Sequence, residues 1–166
     1  MTDETSAAMF DQGLDWLASH RQLYLSTRGA KGHLMDLTFS GGKPFSTHLM
    51  LQHFGRKSGK SYVSVLLYGH IGGEFVIIGS KGGADHHPYW YQNLVAREEA
   101  RFQIATTACR GTWRQAQGQE REEIWKLMVR YYPTFAQYQA STQRQIPVVL
   151  LRPIEEIPVF TEADAG

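Results

Sequence analysis

Six short runs rich in apolar, β-branched and aromatic residues constrain the fold of this chain more than any other feature. They predict β-strands at 47–54, 62–68, 74–80, 101–107, 111–117 and 146–151. Most successive runs are separated by only a few residues, as in antiparallel hairpins, and the G-x-G-x-x-G turn of a doubly wound sheet is missing. The sequence therefore predicts an α+β fold, mostly antiparallel and centred on a β-barrel.

Helices are predicted to flank this barrel. The spacing of apolar residues, together with the prolines, indicates three of them: 9–24, a short helix that opens at Pro88, and 119–132. A length of 166 residues suits one well-formed core. We expect an N-terminal helix within 1–25 packed on or near the core, a single barrel domain over 26–153 and a C-terminal tail over 154–166.

Charge and composition exclude several classes of protein. The chain has 17 Lys and Arg against 16 Asp and Glu, so no global field attracts nucleic acid. The single cysteine, Cys109, excludes an internal disulfide and fits a reducing compartment. No apolar run approaches the ~20 residues of a membrane span, and the first residues are polar, unlike a signal peptide. We expect a cytoplasmic protein without a nucleic acid partner.

A basic turn is predicted between the first two strands, at Phe54-Gly55-Arg56-Lys57-Ser58-Gly59-Lys60-Ser61. Its end copies the tail of a nucleotide-binding P-loop, but Gly55 is one residue too close to Gly59 for that motif. A strand follows it, whereas a P-loop requires a helix. The turn is therefore interpreted as an anion-binding loop and not as an ATP or GTP site.

A second glycine loop, Ser80-Lys81-Gly82-Gly83-Ala84, is predicted just ahead of the helix that opens at Pro88. Free backbone N–H groups and the helix dipole favour an anionic or carbonyl-rich ligand there. Two glycine loops, a few cations and a cluster of aromatic residues suit a flat ring with a phosphate-bearing tail.

Common metal and hydrolytic motifs are missing. Asp85, His86 and His87 are consecutive and point in different directions, so no metal site is predicted. Cys109, in a turn predicted at 109–111, has no adjacent histidine, and no serine lies in a G-x-S-x-G context. His48 and His53 are interpreted as surface or packing histidines.

Several spaced motifs resemble the deazaflavin-dependent nitroreductase and quinone reductase family, in order from about Tyr24 to Pro153. They are Gly55-Arg56-Lys57-Ser58-Gly59, Ser80-Lys81-Gly82-Gly83, Pro88-x-Trp90-Tyr91-x-Asn93-Leu94, Tyr132-Pro133-x-Phe135-x-x-Tyr138-Gln139 and Ile146-Pro147-Val148-Val149. The resemblance implies a split β-barrel of the flavin-binding type. It also implies an oxidoreductase that transfers a hydride from reduced deazaflavin, coenzyme F-420, to a quinone, a nitro compound or a similar electron-poor acceptor.

The resemblance also implies roles for individual residues. The cofactor-binding residues would be Arg56, Lys57, Ser58, Ser80, Lys81, Gly82, Gly83 and Trp90, to which Lys60 is added on charge and proximity. The substrate pocket would be lined by Tyr89, Trp90, Tyr132, Phe135 and Tyr138. Ser80, Tyr132 and Tyr138 are the candidate catalytic residues, since Phe135 replaces a tyrosine of the family and cannot donate a proton.

Departures from the family pattern keep alternatives open. Ser61 and Tyr62 stand where well-matched members have Pro-Arg, and Tyr89 stands where others have methionine. One alternative is a reductase that binds FMN, and another is a non-catalytic flavin, haem or lipid carrier on the same fold. A homodimer is compatible with the sequence, as is peripheral membrane contact through the N-terminal aromatic helix.

Overall fold

The computed structural model describes residues 15–166, which form seven strands and four helices. The strands are β1 Leu34–Met35, β2 Ser46–Phe54, β3 Ser61–Ile71, β4 Glu74–Ile78, β5 Glu99–Ile104, β6 Thr107–Gln115 and β7 Val148–Ile157. The helices are α1 Asp15–Ser26, α2 Tyr89–Leu94, α3 Gly118–Tyr131 and α4 Thr134–Ala140. Short 3-10 turns lie at Thr38–Ser40, Lys81–Gly83 and Glu162–Ala165.

The strands pair in the order β1-β2-β3-β4-β7-β6-β5, and all of these pairings are antiparallel. An additional pairing between β2 and β5, with Leu49 opposite Ile104, closes six of the strands into a barrel. A closed sheet leaves few exposed strand edges. The predicted α+β barrel with antiparallel strands and flanking helices is confirmed.

Strand alternation divides the apolar residues between the inside and the outside of the barrel. On β4 and β7, Ile77, Val149 and Leu151 point into one cluster, while their neighbours Val76 and Leu150 point into another. The first cluster fills the barrel, and helix α2 packs against it. The second lies beneath helices α3 and α4. The helices that flank the site are thus anchored on the β4–β7 face.

A third cluster covers the outer face of β2 and β3. Tyr24 of helix α1 and Phe160 near the C-terminus both pack there. The Tyr24 hydroxyl donates to the His48 carbonyl oxygen at 2.9 Å and accepts from the Ala105 N–H at 2.9 Å. Helix α1 therefore packs on the barrel. Residues 9–14 of the helix predicted at 9–24 lie outside the described residues.

The turn between β5 and β6 differs from the prediction. It is formed by residues 105 and 106, so Cys109 lies within β6, opposite Phe102. One long-range and one local contact hold this turn. The Ala105 N–H donates to the distant Tyr24 hydroxyl, and the Ala105 carbonyl accepts from the side chain of Gln103, two residues away. Gly111 serves another purpose: a Cβ there would lie 1.9 Å from the Arg152 carbonyl oxygen, at an irregularity in the β6–β7 pairing. The prediction of a turn at 109–111 was wrong.

The C-terminal segment, expected as a tail over 154–166, packs on the barrel. β7 continues to Ile157, and the Phe160 side chain beyond it is only 2% exposed. The Phe160 N–H donates to the Gln103 side-chain oxygen at 2.8 Å, and the Ser61 hydroxyl donates to the Asp164 carbonyl at 2.6 Å. Within residues 15–166, every helix is too short or too polar to cross a membrane.

Candidate functional site

The basic turn is the connection between β2 and β3. Its backbone closes on itself, with the Gly55 N–H donating to the Lys60 carbonyl and the Gly59 N–H to the Gly55 carbonyl, both at 2.9 Å. Gly59 has a φ of 70°, and a Cβ at Gly55 would lie 2.5 Å from the Ser58 hydroxyl oxygen. The two glycines make the turn tight, and it holds Arg56 and Lys57 in solvent.

The second glycine loop follows β4 and has three consecutive residues with positive φ. They are Lys81 at 45°, Gly82 at 63° and Gly83 at 83°. Gly83 packs against helix α4, since a Cβ there would lie 2.1 Å from the Ser141 hydroxyl oxygen. A Cβ at Gly82 would meet nothing within 4 Å. A flat ring can therefore approach the backbone at Gly82.

Helix α2 brings the two loops together. The Arg56 guanidinium donates to the Gln92 side-chain oxygen at 2.5 Å, and the Lys81 ammonium lies 5.0 Å from the centre of the Tyr89 ring. Tyr89 and Gln92 are three residues apart, so they lie on one face of the helix. The cations of the two loops consequently meet along this face.

The cations of both loops lack acidic partners within the described chain. Among residues 15–166, no ion pair includes Arg56, Lys57, Lys60 or Lys81. Lys81 instead donates to the His86 ring at 2.6 Å. Unpaired exposed cations on one side of the molecule attract an anionic ligand.

Lys60 and Ser58 are less central than the other residues of the basic turn. The Lys60 ammonium lies 5.7 Å from the Tyr62 ring, and its side chain runs beside Gly166. The Ser58 hydroxyl accepts from the Lys60 N–H at 3.1 Å, which supports the turn. Tyr62, one of the departures from the family pattern, stacks on His53 at 5.7 Å.

An aromatic cluster from helix α4 and its N-terminal approach lies on the far side of Gly83. The Tyr132 ring is 4.9 Å from the Phe135 ring and 6.3 Å from the Tyr138 ring. Tyr132 donates to the Ser40 hydroxyl at 3.0 Å, and the Tyr132 and Tyr138 hydroxyls are 3.5 Å apart. Burial, with a further contribution from Tyr132, raises the pKa of Tyr138, so its hydroxyl stays protonated.

The structure separates the two adjacent aromatics that were predicted to line the pocket. Tyr89 is 65% exposed and lies beside Lys81. Trp90 is 6% exposed and packs in the barrel interior with Leu94. Tyr89 therefore stands at the loops, whereas Trp90 anchors helix α2.

Three residues at this site were not identified by any sequence motif. Gln92 meets Arg56, Ser40 meets Tyr132, and Arg144 donates to the second glycine loop. For Ser40 a regional signal exists in the sequence, because the glycines and the proline of residues 26–44 indicate an irregular connection, and such a segment can pass over a cleft. Arg144 and Gln92 required knowledge of the three-dimensional structure.

A half-open cavity of about 600 Å³ lies beside helix α2 and is lined partly by Phe54, Asn93 and Arg97. Glu98 and Glu99 also line it, and Arg101 there is already paired with Glu99. These carboxylates oppose an anionic ligand. The unpaired cations of the two glycine loops form the better anion site.

The sequence of this chain is similar to that of a known protein family and of several of its members. The family model for F420H(2)-dependent quinone reductase matches residues 16–153. A putative F420H(2)-dependent quinone reductase of Mycobacterium tuberculosis (strain ATCC 25618 / H37Rv) is 36% identical over 111 residues, 67% of this chain and 92% of that protein. One from Mycobacterium bovis is 29% identical over 142 residues, covering 84% and 91%.

Solved structures agree with the sequence relatives. An F420-H2 dependent reductase, FDR-A, aligns with a TM-score of 0.58 and 36% identity, covering 63% of this chain and 93% of that one. A second structure, described as a domain-swapped dimer, aligns with a TM-score of 0.61 and 31% identity, covering 83% and 98%.

Proposed function

The chain belongs to the F420H(2)-dependent quinone reductase family, and we propose that it transfers a hydride from reduced deazaflavin to a quinone or a similar electron-poor acceptor. In this proposal Arg56, Lys57 and Lys81 bind the anionic tail of coenzyme F-420. Ser80, Gly82 and Gly83 face its ring, and the acceptor lies against Tyr132 and Tyr138.

The observation that carries this proposal is the meeting of the two loops along helix α2. Arg56 contacts Gln92 and Lys81 contacts Tyr89, while Gly83 packs against the helix that bears Tyr138. Anion-binding groups, exposed backbone and aromatic side chains are therefore contiguous. A ligand with a charged tail and a flat ring needs these three surfaces in this order.

The residues present fit the cofactor. Its tail is anionic, and the cations of the loops have no carboxylate partners among residues 15–166. Its ring is flat, and the open space over Gly82 admits a planar group against the backbone. The bound deazaflavin supplies the hydride, which is chemistry that side chains cannot provide.

The protein's own contribution is orientation and a proton. The Tyr132 hydroxyl donates a hydrogen bond to the Ser40 hydroxyl, which donates a hydrogen bond to the Leu37 carbonyl at 3.1 Å. The Tyr132 proton is thus already committed. Tyr138 lies at the end of this series of hydrogen bonds, and its hydroxyl is 3.5 Å from that of Tyr132, so the Tyr138 O–H can rotate to donate to the electron acceptor. Tyr138 is the proposed proton donor, and Tyr132 positions it.

The test is a reduction assay with purified protein, reduced deazaflavin and menadione, followed by the absorbance of the cofactor. We expect binding and oxidation that depend on both the protein and menadione. A protein that neither binds the deazaflavin nor accelerates its oxidation would refute the proposal. A protein that copurifies yellow and turns over with FMN would point to the flavin alternative.

The assembly of the protein belongs to the same proposal. A related chain forms a domain-swapped dimer, which supports a homodimer here, and light scattering of the purified protein measures this. Membrane contact through helix α1 has less support, because Tyr24 and Leu25 on this helix are buried against the barrel.

A further inference from the structure

Arg144 lies between helix α4 and strand β7, and its guanidinium donates to both ends of the second glycine loop. Nη1 donates to the Gly79 carbonyl at 3.1 Å and Nη2 to the Ser80 carbonyl at 2.7 Å. Nε donates to the Ala84 carbonyl at 2.8 Å. One side chain from about 60 residues away therefore joins the start of the loop to its end.

The loop needs such support because its backbone is strained. Lys81, a residue with a Cβ, has a φ of 45°, in a region that costs about 1–2 kcal/mol for an L-residue. Conformations of this kind persist only where the surroundings hold them. Ser141 adds one further bond from the same side, to the Gly83 carbonyl at 3.1 Å.

These bonds also set which side of the loop meets a ligand. The carbonyls of Gly79, Ser80, Gly83 and Ala84 all accept from the α4–β7 side. Carbonyl oxygens repel an anion, so holding them on this side leaves the opposite side of the loop favourable to one. No ion pair of residues 15–166 includes Arg144, so its positive charge adds to the attraction.

Given the cofactor site proposed above, we infer that Arg144 is the positioning residue of the second glycine loop: it holds the loop carbonyls away from the ligand and fixes Ser80 and Lys81 in their binding conformation. Arg144 makes no contact with the reacting atoms in this role. It acts through the loop.

His87 provides an independent reporter of this arrangement. Its Nδ1 accepts from Arg144 Nη1 at 3.0 Å, which requires a neutral ring at that nitrogen. The Tyr91 ring lies 4.7 Å from the His87 ring, and the Asp85 carboxylate attracts the Arg144 guanidinium. In the same segment, the Lys81 ammonium donates to the His86 ring. Burial, together with Arg144, lowers the pKa of His87 below its ordinary value. Protonation of His87 would place its N–H beside the Arg144 N–H, and the repulsion between the two cations would loosen the loop.

The primary test is hydrogen exchange of the amides of 79–84 in the protein without cofactor. Arg144→Gln should speed this exchange about tenfold, Arg144→Lys should lie between, and the barrel strands should not change. Arg101→Gln is the matched control, because Arg101 is an exposed arginine paired with Glu99 on β5. Equal loop exchange in Arg144→Gln and the unaltered protein would overturn the inference.

Acid provides a second measurement that remains informative even where Arg144→Gln does not fold. Loop exchange, corrected for its intrinsic pH dependence, should accelerate in the unaltered protein as the pH falls below the ordinary histidine pKa of 6.5, because the opened loop then binds the proton more readily than the closed one. His87→Gln keeps an acceptor but does not titrate, so its loop exchange should stay level. Acceleration of the same size in both proteins would contradict the role of this contact.

Deazaflavin titration then separates this inference from the proposed function. Arg144→Gln should weaken binding about tenfold or more, with partial recovery in Arg144→Lys. An unaltered protein that binds no deazaflavin would refute the proposed function, while the exchange data would still decide whether Arg144 holds the loop.

Discussion

At the scale of single residues, the Tyr138 hydroxyl is the group most directly open to test. We expect Tyr138→Phe to lower kcat with menadione about 10²-fold, the low end for loss of a general acid. Deazaflavin affinity should change little, because the cofactor contacts assigned above lie on the loops. Steady-state turnover and fluorescence titration measure the two quantities.

Two other tyrosines complete that experiment. Tyr132→Phe should have a smaller effect, since Tyr132 donates to Ser40 and positions Tyr138. Tyr131→Phe is the matched control, because the Tyr131 hydroxyl accepts from the Thr47 N–H and lies outside the aromatic cluster. Full kcat in Tyr138→Phe would mean that the proton comes from solvent or another side chain.

The anionic tail is tested by removing two cations. Lys57→Ala combined with Lys81→Ala should weaken deazaflavin binding about 10- to 100-fold, because charge-assisted contacts are stronger than neutral ones. The loss should shrink at high salt. Lys126→Ala on helix α3 serves as a control for the removal of an exposed charge. Unchanged affinity in the double variant would place the anion site elsewhere.

Sequence patterns identified the charged and aromatic members of this site better than their supporting residues. Lys81 and Tyr138 stand in distinctive motifs, whereas Arg144 and Ser40 act through partners far away in the chain. Trp90 shows a different limit of sequence patterns. An aromatic residue beside a binding loop gives the same pattern whether its side chain lines a pocket or packs in the core. Here it lies in the barrel interior.

At the scale of elements, two neighbouring glycines of the second loop are expected to respond differently to a methyl group. Gly82→Ala should cost about 1 kcal/mol of folding free energy, from its positive φ alone, since its Cβ meets nothing within 4 Å. Deazaflavin affinity should nevertheless fall about tenfold, because the methyl group occupies the proposed ring surface. Thermal melts and titrations measure this pair of effects.

Gly83→Ala and Gly72→Ala are the comparisons for that experiment. Gly83→Ala should destabilise the protein more, because its Cβ would lie 2.1 Å from the Ser141 hydroxyl oxygen. Gly72, in the β3–β4 turn, has a φ of 55° and similar open space, so its alanine variant reports the backbone cost alone. Equal affinities in Gly82→Ala and Gly72→Ala would argue against a ring over Gly82.

The elements themselves were largely predictable, and the exceptions have physical causes. Alternation and β-branched residues locate strands such as β3 well, since these patterns are local. The turn at 105–106 was not predictable, because the Tyr24 hydroxyl holds the Ala105 N–H from a distant part of the chain. Gly111 belongs to the predicted turn at 109–111, but in the structure it allows the close approach of the Arg152 carbonyl oxygen.

At the scale of the whole molecule, buried histidines should make the fold sensitive to acid. Burial lowers the pKa of His48 from 6.5 to about 3 and that of His53 to about 4. The unfolded chain therefore binds protons first as the pH falls below 6.5. Above pH 6.5 these histidines do not lower the free energy of unfolding. Below pH 6.5 each of them lowers it by roughly 1.4 kcal/mol per pH unit, until the pH reaches the pKa of that histidine in the folded protein.

A melting series from pH 7 to pH 5 measures this dependence. His48→Gln should flatten the fall in melting temperature relative to the unaltered protein, because glutamine does not titrate. An identical slope in His48→Gln and the unaltered protein would show that His48 does not contribute to acid sensitivity.

The unpaired cations of the basic turn also affect how well the folded protein resists proteolysis in the cell. Arg56, Lys57 and Lys60 lie on one turn that two backbone hydrogen bonds close, so their mutual repulsion opposes the folded conformation of that turn. A ligand that binds only the folded chain offsets this by mass action, by about 2.7 kcal/mol at a hundred times its Kd. Cofactor supply would then govern how much of the protein survives proteolysis as well as how fast it turns over.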